Sequence, residues 1–100
     1  MSDTSAAWFA ARTEGAPARL VAASAGWLHG SAGATVGDRL TDAGHRALGA
    51  AIAAGATRDA ALDLLAADAL ITLALLAGAE DDPMALRERA VAIRAAVTAA

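Results

Sequence analysis

Asp38, Asp42 and His45 stand at i, i+4 and i+7. On a helix that spacing puts two carboxylates and an imidazole on one face, and oxygen and imidazole ligands so arranged could hold a divalent metal. The opposite face of the same segment is apolar, so a solvated helix surface is the competing expectation. One helix also supplies too few ligands for a closed site, so the sequence predicts no bound metal and no cofactor. His29 opens the chain's glycine-rich stretch, "HGSAGATVG". Such a stretch before a helix can cradle phosphate, but the pattern matches neither GxxxxGK nor GxGxxG. Cysteine is absent, which removes thiolate ligands and a thiol nucleophile. No acid, base and nucleophile form a set, so an enzyme is not expected.

The remaining chemistry-bearing residue is Asp68, in the middle of "LDLLAADALITLALLAGAE". At about 100° per residue, Leu62, Leu65, Leu73 and Leu76 gather on one side of this segment, and Leu64, Ile71 and Leu75 form a second strip. Asp68 and Thr72 fall between the two strips. Asp59 and Asp63 share the remaining arc with Ala67 and Ala74, which reads as the solvent side. Asp68 is therefore expected to point inward or into a subunit interface. A buried carboxylate without a partner is costly, so a guanidinium should neutralise it. Arg94 is the first choice and Arg46 the second, with Thr72 as a hydroxyl neighbour. Such a pair would fix register more than it would add stability.

The elements that must position these groups follow from capping and periodicity. Residues Asp3 to Thr13 read as a short helix that Asp3 or Thr4 can cap, with Trp8 and Phe9 as anchors. Pro17 starts a second helix, reaching about Leu28 and carrying Leu20, Val21 and the anchor Trp27. His29 to Gly37 is the one loop-like stretch, a flexible joint between an N-terminal arm (1–30) and a helical core (36–100). Val36, Leu40, Ala43, Ala47, Ala51 and Ala54, with Gly44 beside them, make a small-residue seam on a third helix. Gly55-Ala56-Thr57 ends it, and Thr57 caps a fourth helix running to Gly78, a natural C′ residue. Asp82 and Pro83 start the last helix, from Met84 to about Thr98, which should bury Leu86, Ala90, Ile93 and Val97. Helices three and four are expected to form an antiparallel hairpin, with Asp68 level with residues 43–45.

Composition narrows the function classes. Alanine makes up about a third of the chain and the apolar fraction is 57%. Alanine is the best helix former and leaves a thin, smooth helix. Net charge is −3 and every basic residue is arginine. That balance carries no footprint for nucleic acid or anionic lipid. The polar, acidic N-terminus is not a secretory signal. The longest nearly uncharged run of the apolar fourth helix, Ala69 to Ala79, is short of the ~20 residues that span a bilayer. A cytoplasmic, soluble location without a membrane span is therefore expected.

"AIAAGATRDAALDLLA" (51–66) resembles a helix-turn-helix: Ala51, Gly55, Ala61 and Leu64 fit its small, glycine and apolar positions. The resemblance implies a small DNA-binding regulator with the fourth helix as its reader. That helix offers Arg58 but then Asp59, Asp63 and Asp68, and acids there repel phosphate.

The sequence thus predicts an all-α bundle of about five helices, a short N-terminal pair on a three-helix core. A fourth helix apolar on nearly every side needs cover on more than two, and a second copy would supply it. The leading expectation is a non-enzymatic interaction or assembly protein, homodimeric or docking another protein. A binding module for an apolar small molecule and a helix-turn-helix regulator are the alternatives.

Overall fold

Alanine, leucine and arginine favour helix along nearly the whole chain, so glycine, proline and capping side chains decide where helices stop. The structure is a computed structural model that describes residues 2–99, with side chains from Thr4 to Ala99. It contains α1 (Ser2–Arg12), α2 (Ala18–His29), α3 (Val36–Ala54), α4 (Arg58–Asp81) and α5 (Leu86–Ala99), with a 3-10 turn at Pro83–Ala85 before α5. No strand occurs among the described residues. The molecule is the all-α small helical bundle that the sequence predicts.

The predicted caps form where they can. Thr57 Oγ1 accepts the Ala60 N–H at 3.0 Å, and Asp82 Oδ1 accepts the Met84 N–H at 3.1 Å. Thr35 caps α3 in the same way, accepting from Asp38 N at 3.0 Å. Gly55 closes α3 at φ 71°, a conformation that a side chain would strain. Pro17 is the N-cap residue of α2 and lies just outside the helix. Thr4 lies inside α1, and the side chain of Asp3 is outside the described ones.

Helices α3 and α4 form the antiparallel hairpin and make the most extensive helix contact in the molecule. Their small residues face each other. Gly37, Leu40, Ala43, Gly44, Ala47 and Ala51 are buried on α3; Ala60, Ala66, Ala67, Leu70, Ala74, Ala77 and Gly78 are buried on α4. The approach is close: a Cβ built on Gly44 would lie 2.8 Å from Ile71 Cγ1 and 3.4 Å from the Ala67 carbonyl oxygen. The expected seam on α3 is thus present, ending at Ala51, since Ala54 at the helix end is exposed. Contact along the full length is not the steep crossing of a helix-turn-helix, whose helices meet at ~90–120°.

The other elements flank this hairpin. The first pair packs on one side, and Phe9 and Leu28 join Leu40, Leu70 and Ile93 in a single core. Helix α5 lies against the other side, burying Ile93 and half-burying Leu86 and Val97, while Ala90 is exposed. Two sequence expectations fail here for physical reasons. Gly78 does not end α4; it stays helical and buried because Arg89 crosses it, and a Cβ there would lie 2.7 Å from Arg89 Cδ. The glycine-rich joint is not free. Arg39 donates to the Ser31 carbonyl at 3.1 Å, Ala32 N–H donates to Asp42 Oδ2 at 3.0 Å, and Ser31 Oγ donates to the Leu28 carbonyl at 2.6 Å.

Candidate functional site

Helix α4 buries most of its alanines together with Leu70, half-buries Leu62, Leu73 and Leu75, and exposes Leu64, Leu65 and Leu76. Its arc of Ala60, Ala67, Leu70 and Ala74 is covered by α3, while Leu64, Leu65 and Leu76 keep 53%, 57% and 42% of their surface exposed. The sequence expectation had these sides reversed. The arc of Asp63, Ala67 and Ala74, read as solvent-facing, is the packed one. Thin residues won that place because only they let two helices approach as closely as the glycine and alanine seam of α3 allows. The outward face runs Ala61, Leu65, Asp68, Thr72, Leu75 and Ala79 along its centre line, with Leu64 on one flank and Leu62 and Leu76 on the other. Exposed Ile52 extends the apolar surface at the hairpin tip, where it lines a shallow hollow with Ala61 and Leu64.

Asp68 is therefore exposed within the chain, as is Thr72. The axial level was as expected, since Gly44 packs beside Ala67 and Leu70, but within the chain Asp68 points outward, so of the two expected settings the inward one does not hold. The predicted guanidinium is not there: among the described residues no ion pair includes Asp68. Arg94 is exposed. Arg46 is committed elsewhere, pairing with Asp42 at 3.3 Å and donating to the Trp27 carbonyl at 2.9 Å, with its guanidinium 5.7 Å from the Trp27 ring centre. Arg46 serves the seat of α2 rather than the acid on α4.

The carboxylates of α3 also have partners within the chain. Asp38 Oδ1 accepts from Arg89 at 3.2 Å, tying α5 to the start of α3, and Asp42 pins the loop through Ala32. With Thr41, His45, Ile71, Ile93, Ala96 and Val97 they line a cleft of about 280 Å³. His45 Nδ1 is buried there without a hydrogen-bond partner in the described chain. No group of three His, Cys, Asp or Glu among the described residues is placed to hold a metal ion.

Of the three aromatic residues, Trp8 and Trp27 have polar partners that the sequence did not identify. Phe9 is buried in the core. Trp27 Nε1 donates to Asp63 Oδ1 at 3.3 Å, which locks α2 to the packed arc of α4. Trp8 Nε1 donates to Glu80 Oε1 at 3.1 Å, and Arg12 Nη2 donates to both Glu80 oxygens at 2.9 Å. The Arg12 guanidinium also lies 4.5 Å from the Trp8 ring centre. Arg12, and after it the Trp8 indole, holds the Glu80 carboxyl below its ordinary value of 4.5. This clasp fastens α1 to the far end of α4. Partners so distant in sequence carry no local signal; only the stacking pair, four residues apart on α1, was there to be read.

A second concavity lies between α1 and α2. Phe9, Val21, Leu28, Ala6, Ala10 and Ala25 line about 570 Å³, and Thr13, Glu14 and His29 stand around it.

Helix α4 is also the one described helix that by length and composition could cross a membrane, with a mean hydropathy of 2.0 over an 18-residue window that is 33% buried. The uncharged run counted from sequence is shorter because that count stops at Asp68. Comparison with family models, with curated proteins and with solved structures found no match.

Proposed function

We propose that this chain is a non-enzymatic assembly module that associates with itself through the outer face of α4. The observation that carries the proposal is that this helix covers mainly alanines inside the chain and leaves Leu64, Leu65 and Leu76 exposed outside it. Burying one leucine side chain contributes about 1.5–3 kcal/mol. A soluble monomer gains nothing from leucines in solvent, whereas contiguous exposed apolar surface is what interaction sites present. The large fully buried side chains of the chain alone are few, Leu40 and Leu70 foremost. A chain this small is marginal on such a core, and association supplies the missing burial.

Light scattering of the purified protein from micromolar to millimolar concentration tests this. A dimer or higher oligomer is expected, and Leu65→Asp should return it to monomer without loss of helix by circular dichroism. A wild-type chain monomeric over the whole range contradicts the proposal.

The α1–α2 cleft favours a second reading, a site for an apolar small molecule. Its volume lies within the ~300–1,000 Å³ usual for ligand pockets, and its lining is mainly apolar with a few polar groups. Native mass spectrometry of freshly purified protein should then show a retained organic mass that Ala25→Trp excludes. A bare polypeptide mass in both would end this reading.

A further inference from the structure

The centre line of α4's outer face reads the same in both directions. Ala61 and Ala79, Leu65 and Leu75, and Asp68 and Thr72 are three pairs, each centred on the level of Leu70. Their spacing alternates four and three residues, the repeat that keeps one seam of a helix against a neighbour. The seam from Ala61 to Ala79 is about 27 Å long. Ala61, Leu65, Asp68 and Thr72 are exposed, Leu75 and Ala79 are half-buried with Leu75 also touching the core, and Leu62, Leu64 and Leu76 border them.

We infer that the occupant of this face is a second copy of the chain, its α4 antiparallel to the first, about a two-fold axis at the level of Leu70. This rests on the self-association just proposed and specifies its geometry. In that arrangement Leu65 meets Leu75 of its partner, and Ala61 meets Ala79 of its partner, large against large and small against small. Asp68 meets Thr72 of its partner. The threonine hydroxyl donates a hydrogen bond to the carboxylate, once on each side of the axis. A polar layer inside an apolar seam specifies register and orientation. Parallel pairing in register would set Asp68 against Asp68, two like charges in an apolar seam. A slip of one turn would set Asp68 against Leu75 of its partner in one direction and against Asp68 of its partner in the other, like charge on like charge.

The acid disfavours the other occupants. A lipid surface would have to take Asp68 into hydrocarbon, and the ends of α4 carry further acids at Asp59 and Asp81, which anionic headgroups repel. A foreign helix would need a cation or hydroxyl matched to Asp68, whereas Thr72 of a second copy already supplies that match.

Because the chain has no cysteine, thiol pairing reads this geometry directly. Chains carrying Leu65→Cys are mixed with chains carrying Leu75→Cys and oxidised, while light scattering reports the oligomeric state. The mixed 65–75 disulfide should dominate at least tenfold over 65–65 and 75–75. Asp68→Leu in both chains should tighten association and erase that preference, since the register lock is gone. A dominant 65–65 product means a parallel pair and overturns the inference. A dimer that gives no cross-link pairs through another face and also overturns it, while leaving self-association intact. A monomer at every concentration overturns both. Flotation of that monomer with phosphatidylcholine vesicles would assign the face to lipid.

Discussion

The two sides of α4 obey different packing rules. Toward α3 the helix is lined mainly by alanine and glycine around Leu70, and contact is gained by closeness: with Gly44 against Leu70 and Ile71, two backbones approach until a single added methyl would collide. Away from α3 the helix carries Leu64, Leu65 and Leu76, which stay exposed in the chain. Side-chain size therefore sorts the two faces more strongly than hydrophobicity does. Close backbone approach needs thin residues, so the bulky ones are left for a surface that can interdigitate with other bulky ones. One helix thus carries two faces, a packed one built mainly on small residues and an outward one rich in leucine.

The largest effect should come from the packed side. Leu70 is fully buried among the alanines of the hairpin, and Leu70→Ala should cost about 3 kcal/mol. In a chain of this size that lowers the melting temperature by about 15 °C. A loss below about 1 kcal/mol would mean that the hairpin seam is not the core. Gly44→Ala is a finer probe of closeness. Alanine gains about 1 kcal/mol of helix propensity, but the added methyl, 2.8 Å from Ile71 Cγ1, should cost about 2 kcal/mol of overpacking. The net expectation from thermal melts is a loss of about 1 kcal/mol. Gly49→Ala provides the matched control: nothing lies within 4 Å of its built Cβ, so propensity acts alone and stabilises by about 0.8 kcal/mol. If the two alanines behaved alike, the contrast between tight and open faces of α3 would fail.

The smallest effect concerns the clasp of α1. The Glu80 carboxyl is lowered by Arg12 and Trp8, so its contribution is fully present above the ordinary value of 4.5. It is lost as pH falls through the lowered value of the folded chain. Trp8 fluorescence in a Trp27→Phe background should therefore change in acid below pH 4.5, and Glu80→Gln should abolish that transition. A transition that persists in Glu80→Gln would place its cause in another group.

Much of the fold was legible because its signals are local. Thr57, Gly55, Asp82 and Pro83 punctuate the chain through hydrogen bonds and dihedral limits that involve only neighbours, and the small-residue seam of α3 follows from helical period alone. The level of Asp68 against Gly44 followed from counting residues back from the turn. Its azimuth did not. Choosing between the leucine and alanine sides of α4 required knowing that the α3 seam demanded a thin counterpart. The match was present in the sequence, with Ala60, Ala67 and Ala74 at seven-residue intervals facing Leu40, Ala47 and the rest. Weighting residues by apolarity alone hid it. The clasps at Glu80 and Asp63, and the Arg89 bridge to Asp38, join segments 36 to 72 residues apart, and nothing local marks them.

The contrast between the two faces is tested most directly by a dilution series of methyl-labelled protein followed by nuclear magnetic resonance. The methyl signals of Leu64, Leu65 and Leu76 should shift with concentration and saturate, while those of Leu40 and Leu70 stay fixed. Signals of the outer leucines that do not move from micromolar to millimolar protein would contradict the account. So would movement confined to the hairpin core.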